Sequence, residues 1–336
     1  MLRQHIFLCM FKIILFIAIS VLVLALSCQK PTTTSALAPA ATFDKGIYYR
    51  TPNFQDPTAI LSRVDSPLNT QIVMTPVSFD IRPDSAVYAN DDTLYLVSPD
   101  GSKKTIKVPN LYQMARPAFS PDGKRVAVQA TPISHPPGQT ADPGELKIFV
   151  ISLDTGTPVQ ISPPSNVPNE SPTWFKQSNK VVYSSFSATV GVDLHVYDVD
   201  KSQEILLIPG AGWHGIAVSK DDRLLLVPNS MRVYNLQTGA MVSDLRSVIS
   251  AGIVQTGWQL QTGVGDSKSP FWDGSWSPDG TQFVFDVAVQ RNGQTGAVIF
   301  TTNADGSSVV VKTNLFSLNP AFSNNLNFSQ LDPRWF

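Results

Sequence analysis

The segment Phe119-Ser120-Pro121-Asp122-Gly123-Lys124-Arg125-Val126-Ala127-Val128 reads as a β-hairpin. Proline presets the backbone for the first corner of a turn, aspartate bonds to the amides that follow it, and glycine accepts the positive φ that reverses the chain. The apolar positions on either side alternate with a period of two, as a half-buried strand requires. The phrase returns as Trp276-Ser277-Pro278-Asp279-Gly280 ahead of Phe283-Val284-Phe285, and in degenerate form as Arg82-Pro83-Asp84-Ser85. A turn phrase repeated every few tens of residues marks a repeat architecture.

Aligned on this phrase, the chain contains six copies with register positions Arg82, Ser120, Phe175, Ser219, Ser277 and Ser323, spaced 38, 55, 44, 58 and 46 residues apart. The unequal spacing implies variable loops on a constant frame. A third strand is expected in each of five copies, at Leu94-Tyr95-Leu96-Val97, Ile148-Phe149-Val150-Ile151, Leu194-His195-Val196-Tyr197, Val233-Tyr234-Asn235-Leu236 and Val298-Ile299-Phe300. Tight turns such as Asp154-Thr155-Gly156 and Gln237-Thr238-Gly239 follow, and a fourth strand, for example Pro158-Val159-Gln160-Ile161, completes the unit. Four antiparallel strands per unit of this length describe a β-propeller blade.

Phe119 to Val128 and Trp276 to Phe285 resemble the TolB-like, WD-type β-propeller repeat, with its aromatic-Ser-Pro-Asp-Gly hairpin and following apolar strand. The copies at Val218 and Phe322 match in outline. The resemblance covers residues 43–336 and implies an all-β, six-bladed propeller. It does not extend to the α/β domain that precedes the propeller in TolB itself, because only a linker stands there in this chain.

The sixth copy begins at Asn319-Pro320-Ala321-Phe322-Ser323, and the sequence stops at Phe336. Gly46-Ile47-Tyr48-Tyr49-Arg50 reads as a third strand without the two before it, and Thr58-Ala59-Ile60-Leu61-Ser62 as a fourth. N-terminal strands are therefore expected to complete the C-terminal blade, which covers both sheet edges without a disulfide. A seventh blade would have to hide in residues 244–272, which lack the turn phrase.

Residues 1–28 read as a targeting segment, with Arg3 and Lys12 as its positive region and an uncharged run over 13–26 that is apolar but for Ser20. That run is shorter than the roughly 20 residues a membrane-spanning helix needs. The phrase Leu24-Ala25-Leu26-Ser27-Cys28 resembles the bacterial lipoprotein signal, whose cysteine is lipidated and becomes the mature N-terminus; Ala25 stands where leucine is commonest. The resemblance makes Cys28 the lipidation site. Since Gln29 is not aspartate, it also implies the outer membrane facing the periplasm in a two-membrane bacterium. An uncleaved N-terminal helix is the alternative. Residues 29–42 are small, polar and proline-bearing, a flexible linker able to reach on the order of 45 Å when extended.

Cys9 is the other cysteine and lies in the targeting segment, so no disulfide framework and no thiolate metal site is expected in the domain. Without Arg3 and Lys12, 23 basic residues face 26 acidic ones, a net charge of −3. Nucleic acid is excluded as a partner, because no Lys/Arg cluster is present to neutralise phosphates. His135, His195 and His214 show no metal-ligand spacing, and there is no Gly-x-Ser-x-Gly elbow. No metal, cofactor or catalytic residue is assigned. Asp193, Asp198 and Asp200 read as turn caps.

In a propeller blade the turns after strands one and three share a face, and the connections after strands two and four gather on the other. The variable segments 131–144, 163–171, 210–215, 247–273 and 292–295 are expected on that second face, where loops on a rigid frame bind partners. Trp213, His214, Trp258, Trp272, Asp273 and His135 are the candidate partner-binding residues, the tryptophans on account of their weight at interaction hot spots. They could instead plug the ring. The reading is a monomeric, non-catalytic envelope lipoprotein that binds a protein or glycan partner. The alternative is a propeller lyase or hydrolase, which a cluster of His, Arg and carboxylates in the central channel would favour.

Overall fold

The computed structural model describes residues 41–52, 59–64, 68, 71–74, 78–187, 191–212, 215–261, 269–314, 316–317 and 331–336. The first strands among the described residues are β1 (Ile47–Pro52), β2 (Ala59–Arg63) and β3 (Val73–Met74). Blade 1 is β4 (Phe79–Arg82), β5 (Ser85–Asn90), β6 (Thr93–Val97) and β7 (Lys103–Lys107). Blade 2 is β8 (Tyr112–Phe119), β9 (Arg125–Thr131), β10 (Lys147–Ser152) and β11 (Pro158–Gln160). Blade 3 is β12 (Asn169–Trp174), β13 (Lys180–Ser187), β14 (Gly191–Asp198) and β15 (Gln203–Ile208). Blade 4 is β16 (Ala217–Val218), β17 (Leu224–Val227), β18 (Arg232–Asn235) and β19 (Met241–Asp244).

A helix, α1 (Arg246–Gln255), and β20 (Gln259–Leu260) precede blade 5, whose main strands are β21 (Phe271–Trp276), β22 (Gln282–Arg291), β23 (Gln294–Asn303) and β24 (Val310–Val311). In that sheet β20 also pairs β22, and β25 (Phe316–Ser317) pairs β23. The fold is an all-β, six-bladed propeller of antiparallel sheets.

The turn phrase acts as the sequence indicates. The Ser120 hydroxyl donates to Asp122 (2.6 Å) and accepts the Arg125 N–H (2.9 Å), while Asp122 accepts the Lys124 N–H (3.0 Å). The same bond recurs from Ser277 to Asp279 (2.6 Å) and from Ser219 to Asp221 (2.7 Å). Gly123 and Gly280 take φ of 66° and 77° at the reversal. Asp222 occupies the corresponding position in blade 4 with φ 59°. Its carboxylate reaches into blade 3, accepting the Gln177 N–H (3.1 Å) and the Ser178 hydroxyl (2.9 Å). Blade 3 has no Ser-x-Asp of its own, so its neighbour supplies the missing acceptor.

Closure differs from expectation in strand order. β26 (Arg334–Trp335) pairs directly with β1, and the closing sheet runs β26-β1-β2-β3. Gly46-Arg50 is thus the second strand of blade 6 and the segment around Ala59 the third, each one place earlier than the sequence reading assigned. Among the described residues the C-terminus supplies the innermost strand, and Val73–Met74 is the fourth. Asn319 to Ser323, read as the start of that blade, lie outside the described residues, as do Met1–Ala40 with Cys28.

Packing explains why the ring must close. Each buried cluster spans one junction: Val87 and Leu94 with Val126 and Phe149 between blades 1 and 2, and Trp174 and Tyr183 with Ile148 between blades 2 and 3. Leu194 packs with Val218 and Leu225 between blades 3 and 4, and Leu226 with Phe271 and Phe285 between blades 4 and 5. Ile47 and Leu331 meet Trp272 and Ile299 between blades 5 and 6, and Tyr48 and Leu61 meet Phe79 and Tyr88 between blades 6 and 1. Burying one such side chain stabilises by about 1.5–3 kcal/mol, and every blade needs two neighbours to do so.

Candidate functional site: the ring axis and the loop face

Four positions before each turn register stand Ser78, Arg116, Ser171, Gly215, Asp273 and, in the closing blade, Asp332. The innermost strands break register just there, between Ala115 and Ala118, Glu170 and Thr173, and Phe271 and Gly274. Arg116, Ser171 and Asp332 take positive φ of 49°, 53° and 46°. These bulges aim Arg116, Ser171 and Asp273 toward the axis. Gly215 (φ 57°) completes the ring because a Cβ there would stand 2.6 Å from the Asp273 Cα.

A charged plug fills the ring. Arg116 Nη1 lies 3.3 Å from Asp273, and Arg334 Nη2 lies 2.7 Å from Asp332. Arg50 of β1 is fully buried beneath them, in the field of Asp332, Asp273 and Asp286. Asp286 is also fully buried, yet both its oxygens are engaged by backbone: one accepts the Asp273 N–H and the other the Leu331 N–H, each at 2.8 Å. Burial, reinforced by the charge of Asp273, pushes the Asp286 carboxyl up to about 8. These groups also stitch blades: Asp332 accepts the Phe79 N–H (3.3 Å), Arg334 Nε donates to the Phe79 carbonyl (3.2 Å), and Asp80 accepts the Phe119 N–H (2.8 Å).

Above the plug, on the tight-turn side, a cavity of about 310 Å³ is lined by the final residues of the innermost strands of all six blades. Its charged residues are Lys45, Arg116, Lys176, Lys220 and Arg334 against Asp80 alone. The walls between them are largely apolar, with Pro117, Ile216 and Trp276 among them. Among the described residues no group of three or more His, Cys, Asp or Glu side chains is placed to hold a metal ion.

The candidate partner-binding residues fare unevenly. Trp272 (1% exposed) and Asp273 (0%) are interior, the first packed between blades 5 and 6 and the second in the plug. Trp258 (8%) packs in the cluster between blades 4 and 5 with the Arg291 guanidinium 5.2 Å over its ring. All three are buried, and in the described part of 247–273 the helix α1 runs along the outer side of blade 5. A Cβ on Gly252 would meet Val309 at 2.4 Å, and one on Gly306 would meet Val248 at 2.6 Å. Trp213 and His214 lie outside the described residues.

His135 does sit on the variable-loop face, within a loop fixed at both ends. Its Nε2 is 2.7 Å from Glu145, and the Gln113 side chain donates to the Gln139 carbonyl (2.9 Å) and accepts the Ala141 N–H (2.8 Å). Lys147, buried behind the loop, donates to the carbonyls of Leu146 (3.1 Å) and Val167 (3.3 Å), joining this loop to the next. Ile133 stands on the loop at 47% exposure.

The plug predicts a pH dependence of stability. The folded Asp286 carboxyl holds its proton up to about pH 8, whereas an unfolded aspartate releases it near pH 4. Over that window the unfolded chain binds fewer protons than the native one, so stability falls as pH rises and levels off above it. Asp286→Asn should lower the melting temperature by an offset, because one carbonyl replaces two acceptors. It should also flatten the decline between pH 5 and 8, and parallel curves for the two proteins would exclude Asp286 as the titrating group.

No protein-family profile and no curated protein sequence matches the chain. Among solved structures it is similar to a protein assigned as TolB from Agrobacterium tumefaciens, at 14% identity over 88% of this chain and 99% of that one, with a TM-score of 0.52. It is also similar to TolB from Acinetobacter baumannii, at 14% identity over 82% of this chain and 65% of that one, with a TM-score of 0.53. Identity at this level speaks for architecture. The chain has the TolB-like β-propeller fold.

Proposed function

We propose that this chain is a non-catalytic lipoprotein of the bacterial cell envelope that binds a protein partner through its variable-loop face. A TolB-like propeller suits a protein-interaction role there. The observation that carries the reading is the proline-rich loop 131–144. It projects exposed, mostly uncharged residues, Ile133 foremost, yet is pinned by Gln113, His135–Glu145 and Lys147. A loop ordered before binding loses little entropy on association. The channel does contain arginines and carboxylates, the half of an enzymatic constellation that favours catalysis. Asp286 and Asp332 are committed to backbone N–H groups, those of Leu331 and Phe79 from neighbouring blades, and the histidines described, His135 and His195, pair with Glu145 and Glu204 instead.

Anchoring rests on the resemblance of Leu24 to Cys28 to a lipoprotein signal, and two or more acyl chains give stable membrane attachment. Cys28→Ser should abolish labelling by a fatty-acid probe, and label on the serine protein would refute the anchor. For the loop face, affinity capture from membranes is compared between the natural protein and Ile133→Asp. The variant should lose its captured partner by tenfold or more, about 1.4 kcal/mol per tenfold, with an unchanged melting temperature because Ile133 is exposed. Equal capture would move the docking surface off this loop.

A further inference from the structure

We propose that the axial cavity on the tight-turn side is a binding site for a small ligand bearing an oxyanion, carboxylate or phosphate, on an apolar body. The site is independent of the loop face, which lies on the opposite side of the ring. Its volume of about 310 Å³ falls in the range of small-molecule pockets, roughly 300–1,000 Å³. Five cationic side chains line it, and the one carboxylate among them, Asp80, already accepts the Phe119 N–H. Arg116 and Arg334 are each held by a buried aspartate, Asp273 and Asp332. That support fixes planar guanidinium groups whose geometry matches carboxylate and phosphate oxygens.

Ser171 provides an independent sign. It lines the same cavity at 5% exposure, and its hydroxyl has no hydrogen-bond partner among the described residues. A buried hydroxyl left unpaired is costly, and a ligand oxygen in the cavity would satisfy it. Pro117, Ile216 and Trp276 supply the apolar walls for the body of the ligand, while Lys176 and Lys220 sit at the first residues of their turns, at the mouth.

The test is calorimetric titration of the full-length protein in detergent with phenylacetate, phenylphosphate and, as the uncharged counterpart, benzyl alcohol. At least one anion should bind saturably, more weakly as salt rises, and benzyl alcohol should not. Saturation by phenylacetate alone assigns a carboxylate, and by phenylphosphate alone a phosphate. The paired substitution Lys176→Glu with Lys220→Glu, at exposed positions that leave the plug intact, should lower affinity at least tenfold, and Ser171→Ala should lower it without lowering the melting temperature of the ligand-free protein. The proposal is overturned if neither anion saturates at millimolar concentration, if benzyl alcohol binds as well, or if binding survives the paired lysine substitution.

Discussion

The propeller depends on one short antiparallel contact at the ends of the chain. Gly46 and Phe336 exchange both backbone hydrogen bonds at 2.9 Å, and Arg50 donates to the Leu331 carbonyl at 2.8 Å. None of the six apolar clusters lies within a single sheet; each is shared between neighbours. Without the β26–β1 pairing, blades 5 and 1 would each lose a neighbour, and two sheet edges would stand open. Closing the ring confines the loss of chain entropy to one long-range contact, which the clusters at junctions 5–6 and 6–1 then stabilise.

Closure also accounts for the charges at the axis. Leu331, Asp332 and Arg334 carry the plug to the closing strand, so the same residues that bond Asp286 of blade 5 and Phe79 of blade 1, with Arg334 in the field of Asp273, lock the last blade into place. Burying this many ionisable groups is expensive unless each is paired, bonded to backbone or neutral; here Asp286, which keeps its proton up to about pH 8, and Asp332 accept N–H groups from adjacent blades, and Asp273 faces Arg116. The plug divides the axis. A cationic cavity remains on the tight-turn side, and the ordered loops stand on the other.

The repeat frame could be read from local chemistry. The turn phrase has a fixed register, and the strands that follow alternate strictly, so five blades fell into place from Arg82, Ser120, Phe175, Ser219 and Ser277. The closing blade was misnumbered because Asp332-Pro333-Arg334-Trp335-Phe336 ends where the turn phrase would begin, which leaves no turn to align on. Yet Pro333 and Trp335 match Pro117 and Phe119 in register. The plug was missed for a related reason. Arg116, Asp273 and Asp332 are scattered in sequence and converge only when the copies are compared four positions before the turn. Asp286, an isolated acid in the apolar run Phe283 to Val289, was a further visible sign. For Trp258 and Trp272 the sequence leaves partner contact and packing open, because the length of their segment does not reveal that the helix and β20 lie against blade 5.

Native-state hydrogen exchange, read residue by residue, tests ring closure most directly. If the closing blade is an equal member of the ring, the amides of Gly46, Arg50 and Phe336 exchange only through the same global opening as those of Val128 and Val150 in blade 2. If those three exchange orders of magnitude faster while blades 1–5 stay protected, the ring is not held shut by the β26–β1 contact, and the closure described here is wrong.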